Sequence, residues 1–326
     1  MKKKILELLR ESEGFISGEK ISEEFGVTRA AIWKNINSLK EDGYEIESIS
    51  RKGYRLLSSP DILSYEEIKS YLSTQFTGRK IYYYDTIKST NKMAKEIAHN
   101  EEEGVVIVAE EQLEGRGRLG RTWESPKKKG IYFSIILKPQ VHPMKVSKLT
   151  LVGAAAVNLA LEEMGVTSNI KWPNDILIKG KKVCGILTEM SSELNMINYV
   201  VMGIGINVNL DRNEIPEDLQ DKATSLKIES KDEINRKKLM ALILNKFEKF
   251  YLPFKEDGEI LQAIEVCRKN SAVIGNEVQI LNGSTKKLGR ALDINDAGEL
   301  VVEFTDGKIQ SILSGEISIR GINGYI

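Results

Sequence analysis

The segment Gly115-Arg116-Gly117-Arg118-Leu119-Gly120-Arg121-Thr122-Trp123 sets the first limit on the fold. Its glycines at 115, 117 and 120 spell GxGxxG, which in a dinucleotide-binding turn must follow a strand and open a helix. A strand fits before it, at residues 105–109. No helix fits after it, because Trp123-Glu124-Ser125-Pro126 contains a breaker and residues 127–130 have no apolar period. The arginines at 116, 118 and 121 also exceed what such a turn uses, since amides and a helix terminus do the work there. A doubly wound dinucleotide fold is therefore disfavoured, while cations set among glycine amides still suit a polyanion.

At 326 residues the chain is long enough for two or three domains at roughly 100 to 200 residues each. With 41% hydrophobic and 29% charged residues it reads as soluble and globular. No apolar run is expected to reach the roughly 18 residues of a membrane span. Met1-Lys2-Lys3-Lys4 has the charge of a signal-peptide start, but Glu7 and Arg10 interrupt the apolar stretch that a signal peptide needs next. The expectation is a cytoplasmic protein without a membrane partner. Cys184, Cys267, His99 and His142 lack metal-ligand spacing, so no metal site is expected from protein ligands, and both cysteines read as core. Zero net charge argues against wholesale coating of nucleic acid, which leaves local patches to decide.

Such patches occur near the start. Residues 3–10 and 18–25 have helical apolar spacing, and Gly26 ends the second. Thr28 is a suitable cap for a third helix that buries Ile32, Ile36 and Leu39 and turns Lys34, Asn37 and Ser38 outward. Residues 44–50 and 54–57 then read as short strands around the basic turn Arg51-Lys52-Gly53. Three helices and a basic hairpin predict a winged helix-turn-helix. Thr28, Arg29, Lys34 and Asn37 would face the major groove and Arg51 and Lys52 the phosphates. A three-helix interaction module with a solvated charged face is the alternative. Trp33 reads as a partly buried anchor, and Ser58-Ser59-Pro60-Asp61 as a linker.

Beyond it, strands at 81–84, 105–109, 131–138, 183–190 and 199–209 and helices within 143–164 and 234–251 predict a mixed α/β domain. Polar motifs fall at strand ends and in loops, where binding groups usually sit. They are Ser89-Thr90-Asn91, Gln112 with the Gly/Arg segment, Lys171-Trp172-Pro173-Asn174-Asp175, Lys182 before Val183-Cys184-Gly185-Ile186-Leu187, and Gly203-Ile204-Gly205-Ile206-Asn207. Each has a plain structural reading: a helix cap, a turn, a solvated charge run, or close helix packing on a strand.

In this order and spacing they closely resemble the biotin protein ligase family, and with the N-terminal module its bifunctional members, the biotin operon repressors. The match spans nearly the whole chain and rests on GRGRxGRxW, KWPND, a Lys before an AGIL-type strand (here Cys184-Gly185-Ile186-Leu187) and GxGxN. The resemblance implies an α+β multidomain chain: a winged helix-turn-helix at 1–60, a mixed α/β ligase domain at 61–270 and an SH3-like β-barrel at 271–326. It implies ATP and biotin as substrates with Mg²⁺, biotinyl-5′-AMP as intermediate, and transfer to a lysine of a biotin carboxyl carrier domain. For biotin it implies Ser89, Thr90, Asn91, Gln112, Gly115, Arg116, Lys182, Gly185, Gly203 and Gly205. Neutral donors suit the ureido head, and glycines let backbone approach the rings. For the nucleotide it implies Arg116, Arg118, Arg121, Trp123, Asn174, Asn207 and Arg320, with Trp123 and Asn207 near adenine. Lys182, Arg118 and Asp175 are the implied catalytic residues, Lys182 bridging two anions that otherwise repel. The Gly/Arg segment would fold over the adenylate, and residues 211–226 would order over adenine. The adenylate would act as corepressor, promoting a homodimer that binds operator DNA.

At the C-terminal end, strands at 278–281, 289–294, 300–304 and 308–313 are separated by Asn282-Gly283, Asp296-Ala297-Gly298 and Asp306-Gly307. Lys40-Glu41-Asp42-Gly43 and Lys255-Glu256-Asp257-Gly258 match the KxDG of covalent nucleotidyl ligases, but both read as helix ends. A non-catalytic ligand-sensing regulator and a lipoate-class ligase are the other readings of the chain.

Overall fold

Ser17 and Thr28 stand where helices must start, and each spends its hydroxyl on an orphan amide, that of Lys20 at 3.1 Å and that of Ala31 at 3.2 Å. The helices are α1 (Lys2–Glu11), α2 (Gly18–Phe25) and α3 (Arg29–Glu41), followed by an antiparallel hairpin of β1 (Glu45–Ile49) and β2 (Gly53–Ser58). Ile5, Ile21, Ile32, Ile36 and Leu39 close a small core between them. Arg51, at φ +67, and Gly53 shape the hairpin turn. The structure, a computed structural model, describes residues 1–282, 285–315 and 317–321. They fall into two compact units, Met1–Asp61 and Ile62–Ile326.

The second unit opens with α4 (Tyr65–Ile68), β3 (Ile81–Tyr84), α5 (Thr90–Ile97), β4 (Val106–Ala109), β5 (Gly130–Leu137) and α6 (Leu149–Glu163). It continues with β6 (Asn169–Lys171), β7 (Asp175–Ile178), β8 (Lys181–Glu193), β9 (Met196–Asn207), α7 (Leu226–Ser230), α8 (Arg236–Asp257) and α9 (Leu261–Lys269). Its sheet runs β3-β4-β5-β9-β8-β7-β6, antiparallel except for β3 beside β4. One face packs on α6, α8 and α9 through a single large core. Gly153 lets α6 come close, since a Cβ there would stand 2.9 Å from Met202 Sδ. Residues 143–163 are long and apolar enough to cross a membrane, against the expectation from sequence. They are instead the core helix of this unit, 72% buried over their most apolar window.

Within the same unit, β10 (Glu277–Asn282), β11 (Thr285–Ile294), β12 (Leu300–Phe304), β13 (Ile309–Ile312) and β14 (Ile317–Gly321) form an antiparallel sheet ordered β13-β12-β11-β10-β14. The barrel expected here is thus a five-stranded antiparallel sheet whose last strand returns beside its first. The turn expected at Asn282-Gly283 falls on Gly283, outside the described residues. Trp172, wholly buried between β6 and β7, donates its indole N–H to Gly298 O at 3.0 Å and so fastens this sheet to the larger one.

Candidate active site

The pocket lies where β8 and β9 meet the N-terminus of α5, beneath the Gly/Arg segment. That segment is a small hairpin. Arg116 pairs with Thr122, Trp123 N donates to Gly115 O at 2.9 Å and Gly117 N to Arg121 O at 2.7 Å. Leu119 at φ +57 and Gly120 at φ +72 make its tip. Gly115 has no room for a side chain, because a Cβ would overlap the Trp123 carbonyl.

One end of the pocket is lined by neutral hydrogen-bonding groups, backed by one ion pair. Ser89 caps α5, and Thr90 N and Oγ1 both donate to Gln112 Oε1, at 2.9 and 3.1 Å. Gln112 Nε2 donates to Ser125 Oγ at 3.0 Å, which fixes the orientation of the carboxamide. Ser134, buried in β5, donates to Asn91 Oδ1 at 2.6 Å and lies 2.8 Å from Thr90 Oγ1. Asn91 Nδ2 donates to Glu189 at 2.8 Å, and Glu189 pairs with Lys95 at 2.7 Å. Such a network holds each member in one geometry before any ligand arrives.

The floor is glycine. Gly185 and Gly205 face each other across β8 and β9, and the Trp123 indole lies on both. A Cβ at Gly205 would stand 2.6 Å from Trp123 Nε1, and one at Gly203 would overlap Asn91 Oδ1. The Trp123 Nε1–H is buried with no hydrogen-bond partner among the described residues, an unsatisfied donor worth about 1 to 3 kcal/mol to an acceptor that reaches it.

The other end is charged. Lys182 Nζ is 2.6 Å from Asp175 Oδ1 and 5.3 Å from the Trp123 ring centre. Arg118 reaches from the hairpin tip to Asn174 Oδ1 at 2.8 Å, to Ile317 O at 3.1 Å and to Gly315 O. Burial lowers the pKa of Arg118, against the pull of Asp175. Lys171 is buried beside the same group, and burial pushes it down to about 7, opposed by Asp175 and assisted by Lys182, Arg320 and Arg121. At this end Lys171, Lys182, Arg118 and Arg121 outweigh Asp175, an excess of positive charge that a phosphate chain balances.

Lys182 is also held from behind. Its N–H donates to Lys222 O at 2.8 Å and its carbonyl accepts from Thr224 N at 2.9 Å, so residues 222–224 flank it as a bridge strand.

Of the residues singled out in the sequence, Ser89, Thr90, Asn91, Gln112, Arg116, Arg118, Trp123, Asn174, Lys182, Gly185, Gly203 and Gly205 line the one pocket. Gly115 lies within the hairpin, Asp175 behind Lys182, and Arg121 and Arg320 near Lys171. Asn207, at the end of β9, donates Nδ2 to Thr224 O at 3.0 Å, bracing the segment beside Lys182. In the N-terminal unit Thr28 caps α3, Lys34, Arg51 and Lys52 are exposed, and Asn37 is half-buried. Arg29 pairs with Glu19 at 2.7 Å. Trp33 corrects the sequence reading, being 60% exposed rather than a partly buried anchor, because Ile32 and Ile36 already fill the inward face of α3. Ser125, Ser134 and Glu189 are site residues that sequence reasoning missed.

A family model described as the biotin/lipoate A/B protein ligase family matches residues 83–207, the stretch that supplies the entire pocket lining. Fold and site therefore define an acyl-protein ligase. An HTH domain model matches residues 2–55, and a biotin protein ligase C-terminal domain model residues 273–320. The bifunctional ligase/repressor BirA of Bacillus subtilis (strain 168) is 42% identical over 98% of both chains, and that of Escherichia coli (strain K12) 29% identical over 97% of this chain and 96% of its own. The biotin protein ligase of Aquifex aeolicus in complex with biotin and ATP has a TM-score of 0.65 and 32% identity, covering 74% of this chain and 99% of that one. This chain belongs to the family of bifunctional biotin protein ligases and biotin repressors.

Proposed function

We propose that the neutral end of the pocket holds the ureido head of biotin, that the glycine floor takes its rings, and that the charged end joins its carboxylate to ATP. The observation that carries this is the arrangement itself: uncharged, pre-paired donors and acceptors at one end, glycine between, and Lys182 with Arg118 and Asn174 at the other. Lipoate offers no ureido group for Thr90, Asn91 and Gln112 to bond, so the neutral end favours biotin over the lipoate class.

In the first step a biotin carboxylate oxygen bonds to the α-phosphorus of ATP while the bond to pyrophosphate breaks. Lys182 lies between the two anions, lowers their repulsion and stabilises charge that grows on the α-phosphate. Arg116 and Arg118 add positive charge from above, and Asn174 fixes the Arg118 fork. In the second step a neutral acceptor lysine attacks the biotinyl carbonyl, AMP leaves with the bonding pair, and the amine loses a proton. Asp175, already 2.6 Å from one ammonium, orients the second. Mg²⁺ enters this reading with the ATP phosphates, whose charge it would offset.

The hairpin closes over the adenylate and keeps water from the mixed anhydride. The winged helix-turn-helix binds operator DNA through Thr28, Arg29, Lys34, Asn37, Arg51 and Lys52, with the adenylate favouring a homodimer whose paired units match a two-fold site. Arg29 must leave Glu19 to reach the DNA. Two buried thiols without a disulfide suit the cytoplasm. Incubation with labelled biotin, Mg-ATP and a biotin carboxyl carrier domain tests the ligase reading. Label passes to the carrier with the wild type and not with Lys182→Ala; an unlabelled carrier with the wild type overturns it.

A further inference from the structure

Glu110 and Arg236 form an ion pair with both side chains wholly buried at 0% exposure, Arg236 Nη1 standing 2.7 Å from Glu110 Oε2. Neither lines the pocket. Burying two charges costs several kcal/mol per ion, and a well-packed apolar pair would serve stability as well. Helix stability does not account for it either, since Arg236 is the first residue of α8, where a cation opposes the helix dipole.

The contacts of the pair are more telling. The same Nη1 donates to Gly130 O at 2.8 Å, and the Glu110 carbonyl accepts from Lys128 N at 3.1 Å. Glu110 comes directly after β4 and Gly130 opens β5, so one guanidinium grips both roots of the segment that carries Gln112 and the Gly/Arg hairpin. The second root has no slack: a Cβ at Gly130 would overlap the Tyr132 ring, and Tyr132 Oη donates to Pro126 O at 3.2 Å. The other Glu110 oxygen accepts from Leu63 N at 3.2 Å, at the start of the second unit.

We propose that Glu110 and Arg236 are positioning residues that fix the separation of the two hairpin roots and tie both to Leu63, so that closure of the hairpin and order at Leu63 are coupled. This rests on the reading of the hairpin as a lid. Both contacts come from one nitrogen, Nη1, whose two N–H bonds lie in the fixed plane of the guanidinium and so hold the carboxylate and the carbonyl at a set separation. Loosening either contact lets the roots drift, and a displacement of even an ångström at a closing loop weakens its grip on the ligand.

The test uses the full chain. Adenylate is formed from labelled biotin and Mg-ATP, then chased with unlabelled biotin, and hydrogen exchange at Leu63 is followed with and without adenylate. Glu110→Gln and Arg236→Lys are compared with Glu248→Gln. Glu248 is a buried carboxylate on the same helix that accepts from the amides of Phe76 and Thr77 at 3.1 and 2.8 Å and lies on neither root. Both root variants should release adenylate about tenfold faster than wild type and lose the adenylate-dependent protection of Leu63. Glu248→Gln should lose thermal stability while keeping retention and protection. If Glu110→Gln does not fold, Arg236→Lys, which preserves the charge and one contact, carries the test. Wild-type retention and Leu63 protection in a folded root variant overturn the inference. Rapid release by the wild type itself would instead overturn the lid.

Discussion

Gly203→Ala tests how closely β9 is built against the neutral end of the pocket. The added Cβ would overlap Asn91 Oδ1 and lie 2.8 Å from its Cγ and 3.0 Å from its Nδ2. β9 has no room to retreat, because it is hydrogen-bonded on both sides with Gly203 opposite Ser134 and Leu187. Asn91 must therefore swing out, giving up its bonds to Ser134 at 2.6 Å and Glu189 at 2.8 Å. Each such bond contributes about 1 kcal/mol net, and about 2 kcal/mol when its buried partner is left unsatisfied. Two of them amount to about 2 to 4 kcal/mol of lost preorganisation, or a biotin affinity weaker by about 30-fold to several hundred-fold. Titration calorimetry with biotin reads this directly, and thermal melting shows whether the sheet survives. The double variant Asn91→Ala/Gly203→Ala, which removes the overlap, should regain stability without regaining affinity. An unchanged dissociation constant for biotin in Gly203→Ala would refute the placement of the ureido head.

Arg118→Gly removes the link from the hairpin tip to Asn174 Oδ1 and to the carbonyls of Gly315 and Ile317. With charged bonds at about 1.5 to 3 kcal/mol each, adenylate should escape at least about tenfold faster and label bystander lysines, which a chase and a protein-wide biotin blot measure. Lys171, with its pKa pushed down to about 7 from 10.5, binds a proton in the unfolded but not the folded state between those values, so stability should rise with pH across that window. Anionic phosphate drawn to the same cations should raise that pKa and take up a proton near neutral pH. The calorimetric enthalpy of ATP binding should then differ between buffers of unequal ionisation enthalpy, and equal enthalpies would contradict it. In the winged unit, Arg51→Ala/Lys52→Ala should reduce the slope of log K against log salt by about 1.8, two phosphate contacts at about 0.9 each, as read by fluorescence anisotropy over a salt series.

The sequence made most of the pocket legible because polar residues at strand ends and loops stand out from apolar strands, and those motifs converge. Ser134 was hidden for the opposite reason. It is one hydroxyl in a strand whose every residue is buried, so it passed as core, although a polar residue in such a run was the available signal. Glu189 reaches Asn91 across 98 residues of sequence, a pairing that only sheet order reveals. The hairpin form of the Gly/Arg segment was not legible, because its cross-hairpin bonds need an uncommon φ at Leu119, which propensity does not announce. β6 and β7 are too short and too near a Trp-Pro turn to show a period. Trp33 shows the limit of reading a role from position in a helix: its indole was left facing solvent.

The central claim is that Lys182 joins the biotin carboxylate to the α-phosphate of ATP within this pocket. Biotin-dependent exchange of labelled pyrophosphate into ATP isolates that step from transfer to the carrier. The wild type should exchange, and Lys182→Ala should fall by about a hundredfold or more while still binding biotin, as expected for loss of a charge aimed at the transition state. Exchange by Lys182→Ala at the wild-type rate, or none by the wild type, would contradict it.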